Sequence, residues 1–86
     1  MTKLFILDVP DFRPIIEVAA GLPSVTCRTV GDYVEVASDG AITIDRRATG
    51  VNHATWYSMV AAVADGRVVQ QDKDALRVVP GLGRAR

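Results

Sequence analysis

"NHATWYSMVAAVA", residues 52–64, carries two periodicities at once, and the order of helices and strands turns on which of them the chain obeys. As a helix, Asn52 caps the N-terminus, His53, Trp56, Val60 and Val63 share a face, and Asp65-Gly66 closes the element. As a strand, "TWYSMVAAV" offers the aromatic and β-branched residues that suit a buried pleated surface. The spacing predicts a helix over 52–64, and the composition keeps a buried strand open beside it. Either way the segment feeds the core, and it holds the only histidine and the only tryptophan of the chain.

Upstream lie three β-prone runs, "SVTCRTV" from Ser24, "YVEVAS" from Tyr33 and "AITIDRR" from Ala41, separated by Gly31-Asp32 and Asp39-Gly40. Such dipeptides supply the positive φ of tight hairpin turns, so a three-strand antiparallel meander is expected. Val34 and Val36 alternate with Tyr33 and Glu35, and Ile42 and Ile44 with Thr43 and Asp45, giving one core face and one wetter face. At the start, "KLFILDV", residues 3–9, reads as a strand inside the sheet, buried on both faces. Asp11 is then expected to cap a helix whose Phe12, Ile15, Ile16 and Ala19 recur at helical spacing, with Pro14 tolerated in the first turn and Gly21 and Pro23 ending it.

Downstream, "RVVQ", the polar turn "QDKD" and "ALRVV" from Ala75 predict a closing hairpin, and "PGLGRAR" a frayed tail. The expected order is β-α-β-β-β-α-β-β: an α+β domain over residues 1–79, with one or two helices on a largely antiparallel sheet and a flexible tail at 80–86.

A chain of 86 residues supports one core and makes a poor private pocket. Ten basic side chains balance ten acidic ones, so no overall field draws it to nucleic acid or an anionic membrane. The start "MTKLFILDVPDF" has too short an apolar run for a signal peptide, no stretch approaches a membrane span, and the lone Cys27 makes no internal disulfide. A cytoplasmic setting is expected.

Few side chains could carry chemistry. His53 is the candidate general base, with Asp45 or Asp8 as an orienting carboxylate and Arg46 or Arg47 as an anion clamp. If the strand continues through Arg46 and Arg47, they point to opposite faces and only one serves a given site. Trp56, Tyr57 and Met59 line an apolar pocket or a partner surface, although core packing is the commoner fate of such residues. Cys27, beside Val25 in an alternating strand, reads as a small buried side chain rather than a nucleophile. One His and one Cys give no zinc-ligand spacing, and no glycine-rich loop precedes a helix, so neither metal nor cofactor is expected.

In length and in three segments, "RPIIEVAAGLPSV", "GDYVEVASDGAITIDRRAT" and "ADGRVVQQDKDALRVV", the chain resembles the small effector or coupling proteins of soluble multicomponent diiron monooxygenases. These segments cover about half of it. Where that family usually has a longer stretch with a Leu-Gly-Arg-Pro-Phe-like turn, this chain has the shorter "ATGVNHATWYSMVAAV", so no functional residue of the family transfers there. The resemblance implies a non-enzymatic regulatory subunit, without cofactor, that binds a larger oxygenase or hydroxylase subunit and modulates it. Arg46, Arg47, His53, Trp56 and Tyr57 are then the candidate contact residues, chosen by residue type. The alternative is a small homo-oligomeric enzyme or ligand-binding protein, a homodimer at its smallest, with His53 as base, Asp45 orienting it and Arg46 or Arg47 holding an anion.

Overall fold

Strand β1, Thr2–Leu7, turns Thr2, Leu4 and Ile6 fully inward while Lys3, Phe5 and Leu7 stay half-buried on its other face. In the computed structural model, which describes residues 1–81, β1 is an interior strand as its sequence predicts. Burial on both faces does not follow, because the outward face of its sheet stays partly open. A 3-10 turn at Pro10–Phe12 leads into α1, Arg13–Ala20, where Ile15 and Ala19, four residues apart, enter the core. Asp11 is not the expected cap. Phe12 holds that position with no side-chain bond, because Pro10 has already started the chain turning.

Strands β2, Val25–Val30, and β3, Tyr33–Ser38, form a hairpin through Gly31, whose φ is +59°. The expected meander stops there. The second edge of β3 is taken by β1, from Thr2 against Ser38 to Leu7 against Tyr33, so β4, Ile42–Asp45, finds no edge of β3 left to pair with. The Ser38 hydroxyl accepts the Gly40 N–H at 3.2 Å, the Thr2 hydroxyl donates to the Gly40 carbonyl at 2.7 Å, and the chain crosses to a second sheet. Gly40 makes that turn without a positive φ.

A single helical turn, α2, Arg46–Thr49, follows β4, and residues 52–64 then obey both periods in succession. Asn52 caps α3, His53–Ser58, by accepting the Thr55 N–H at 2.8 Å. From Val60 to Asp65 the chain is strand β5, and Val60 and Val63 pack on the core from a sheet rather than from a helix. The reason is tertiary. The free edge of β1 carries backbone donors and acceptors that only another strand satisfies, which outweighs the helix propensity of three alanines. Two register shifts leave Ala61 and Ala64 unpaired against β1.

Asp65-Gly66 ends no helix; it bends the chain from β5 into β6, Arg67–Gln71, which pairs with β7, Ala75–Val79, as the predicted closing hairpin. The two antiparallel sheets run β2-β3-β1-β5 and β4-β7-β6, so the fold is α+β with sheets predominating. Leu4, Ile6 and Val36 of the first sheet meet Ile42, Ile44, Leu76 and Val78 of the second, with Ile15, Trp56 and Met59 filling the remaining space. Each such fully buried side chain contributes about 1.5–3 kcal/mol. Most of the tail expected at 80–86, residues 82–86, lies outside the described residues.

Gly66 has φ +123°, and a β-carbon there would lie 2.8 Å from the Val79 carbonyl and 3.2 Å from the Thr2 methyl. Gly66→Ala is therefore expected to lower the free energy of unfolding by roughly 2 kcal/mol or more, through backbone strain and the clash. Gly40→Ala, with open space and no positive φ, should stay within about 0.5 kcal/mol. Urea titration of the two variants checks the difference.

Candidate functional site

Asp45 ends β4 and caps α2, its carboxylate accepting the Arg47 N–H at 3.0 Å. Arg46 and Arg47 consequently open a helical turn and are not successive strand positions on opposite sheet faces. The turn closes at Gly50, φ +73°, with the Thr49 hydroxyl donating to the Arg46 carbonyl at 2.6 Å.

Across from this corner, the turn between β6 and β7 presents three successive carbonyls, and each meets a donor. Trp56 Nε1 donates to Asp72 O at 2.7 Å, Arg46 Nε donates to Lys73 O, and the Arg46 N–H donates to Asp74 O at 2.9 Å. Arg46 Nη1 also reaches Val51 O at 3.4 Å. The Asp72 carboxylate fixes the turn from within, accepting the Asp74 and Ala75 N–H groups at 2.9 and 3.0 Å and the Gln70 amide at 3.0 Å. Those bonds, that from Asp74 foremost, hold its carboxyl below the usual aspartate range. Trp56 is 1% exposed. Arg46 and Trp56 thus tie the second sheet to the helical corner, the indole N–H and the guanidinium Nε–H both donating to the chain itself.

The other residues singled out from sequence lie on the surface of the corner. Arg47 is exposed, His53 is the exposed first residue of α3, and Tyr57, one turn further on, is 49% exposed. Of the two carboxylates that could orient His53, Asp45 caps α2 and Asp8 pairs with Arg13 at 3.4 Å. Cys27 is half-buried, and burial pushes its thiol pKa up, which disfavours the thiolate a nucleophile needs. A hollow of about 250 Å³ between the 3-10 turn and α3 is lined by Asp11, Phe12, Ala54, Thr55 and Ser58.

A second surface escaped the sequence, which reads Tyr33 and Glu35 only as the wet side of a strand. Pairing aligns Ala62, Phe5, Glu35 and Arg28 in one row across the outward face of the first sheet. Glu35 is 7% exposed and accepts from Arg28 Nε at 2.8 Å and Nη2 at 3.4 Å, with Lys3 Nζ at 3.7 Å. The Arg28 guanidinium, helped by Lys3, holds the Glu35 carboxyl below its ordinary range. Beside this cluster, Phe5 and Tyr33 meet edge to face with centroids 6.4 Å apart, and with Ala61 and Ala62 they line a shallow depression of about 330 Å³. The apolar run at residues 3–9 was the one signal available, because the neighbours of β1 and β3 are set by topology.

No family model matches the chain, and no curated protein matches it. Among solved structures, it is similar to a chain in the structure of a phenol hydroxylase–regulatory protein complex. The TM-score is 0.77, over 93% of this chain and 98% of that one, at 15% sequence identity. The likeness is one of fold and spans nearly the whole of both chains.

The carbonyl clamp gives a direct test. Trp56→Phe and Arg46→Ala should each lower the free energy of unfolding by roughly 1–3 kcal/mol, since each strips donors from turn carbonyls. Arg47→Ala and Tyr57→Ala, both on the surface, should stay within about 0.5 kcal/mol. Equilibrium unfolding of the four variants separates clamp from surface.

Proposed function

We propose that this chain is a non-enzymatic regulatory subunit that binds the larger hydroxylase component of a multicomponent diiron monooxygenase and modulates its turnover. The observation that carries this is the likeness of fold, over 93% of the chain, to a chain in a phenol hydroxylase–regulatory protein complex. The segment resemblance to effector proteins points the same way. Geometry is compatible with this reading: Asp45 caps α2 and Arg46 bonds turn carbonyls, so both side chains already serve the fold.

Such a protein works through binding energy. If it contacts one conformation of the hydroxylase better than another, it shifts their populations, and a difference of about 1–3 kcal/mol moves that ratio roughly 5–150-fold. The domain suits a rigid binding partner, because Trp56 and Arg46 lock the corner from which Arg47, His53 and Tyr57 project. Those three side chains belong to the proposed contact surface, and Trp56 acts by holding them in place. The proposed setting is the cytoplasm, and no helix among the described residues is long and apolar enough to cross a membrane.

The test is reconstitution with the diiron hydroxylase and reductase of the native host. Substrate turnover should change about fivefold or more as the protein is added, saturating near one chain per hydroxylase protomer. Turnover that is flat at all ratios, with no co-elution of protein and hydroxylase on gel filtration, would contradict the proposal.

A further inference from the structure

A sheet face turned to water ordinarily carries polar side chains at alternate positions. The outward face of the first sheet departs from this at one end. Val30, Tyr33, Leu7, Phe5 and Ala62 are outward residues of four neighbouring strands, linked by the pairs Val30–Tyr33, Tyr33–Leu7 and Phe5–Ala62. Tyr33 is 40% and Val30 38% exposed, and the depression of about 330 Å³ opens between Phe5, Tyr33 and the two alanines. A contiguous apolar strip with a tyrosine at its centre is the composition in which interface energy concentrates.

Charge identifies what the strip accepts. Along its border, one nearly buried carboxylate, Glu35, faces two cations, Arg28 and Lys3, and Asp65 is the strand partner of Lys3, so the exposed positive charge of this border is centred on Arg28. The Arg28 side chain is 71% exposed and spends Nε and Nη2 on Glu35, which leaves Nη1 available to a further acceptor. Strand addition at β5 is the competing use of this side of the molecule. It is disfavoured by the register shifts at Ala61 and Ala64, which break the regular row of donors and acceptors that an added strand requires. The same shift at Ala61 brings Ala61 and Ala62 together into the floor of the depression.

We infer that this face is the anchoring surface for the hydroxylase. It takes an aliphatic or aromatic side chain of the larger subunit into the depression between Phe5, Tyr33 and Ala62, while a neighbouring carboxylate of that subunit pairs with Arg28. This rests on the regulatory function proposed above and specifies where and by what chemistry the partner is held. The corner at Arg47, His53 and Tyr57 then lies in the surrounding contact area.

The experiment is a binding titration against immobilised, purified diiron hydroxylase from the native host, with each variant first checked for unaltered thermal unfolding. Tyr33→Ala and Ala62→Gln should each weaken binding roughly tenfold or more. Arg28→Gln should weaken it by about tenfold at low salt and flatten the salt dependence. Ala62→Gln keeps the Phe5–Tyr33 pair, so a folding defect at Tyr33 would not mask the result. Arg77→Ala, on the second sheet, serves as the control and should bind as the parent does. Parent-like binding by all three face variants would overturn this surface while leaving the regulatory function standing. Failure of the parent itself to bind would overturn both, and self-association through the face, seen as a dimer that Tyr33→Ala abolishes, would assign it to a second copy instead.

Discussion

The fold depends on one seam, where the chain passes from the first sheet to the second. It crosses between Ser38 and Ile42 and again at Gly66, and both crossings press on Thr2. The Thr2 hydroxyl donates to the Gly40 carbonyl at the first crossing, and the Thr2 methyl would lie 3.2 Å from any β-carbon at the second. A chain of 86 residues has material for one core, so both sheets must share it, and that requires tight crossings at a common end. A fully buried threonine satisfies the polar backbone of one crossing and offers a small apolar surface to the other.

Opposite this seam, the clamp on the carbonyls of residues 72–74 closes the other end of the second sheet. With seam and clamp both made from the chain's own donors, the interior has little polar capacity left over. What remains for a partner lies outside: the exposed corner around Tyr57, and the outward face where Phe5, Tyr33 and the Arg28–Glu35 pair meet. That division, a fixed interior and a chemically mixed surface, suits the regulatory role proposed above.

The α+β class, the first helix, the β2–β3 hairpin and the closing hairpin were legible in the sequence, because each follows from local alternation, helical spacing or turn chemistry. The route of β4 was not. Whether "AITID" lies beside β3 depends on β1 claiming that edge from thirty residues away, which no local pattern records. Residues 52–64 carried two periods because they form two elements, and the boundary at Met59 has no glycine or proline to mark it. At the site, Asn52 carries a local cap signal, and Trp56 shows its periodicity but not its carbonyl partner. The alternation of "ITIDRR" carries the strand pattern smoothly into Arg46 and Arg47, whereas Asp45 caps a new turn. The face around Tyr33 was illegible, since it is assembled across four strands.

We propose that this domain acts by seating a fixed surface, centred on Tyr33, against a hydroxylase. Site-specific photo-crosslinking tests it most directly, with a benzophenone side chain at position 33 and, as comparison, at position 77 on the other sheet. The account predicts a crosslink to the large hydroxylase subunit from position 33 and none from position 77. Crosslinks from position 77 alone, or none from either position in a complex that demonstrably forms, would contradict it.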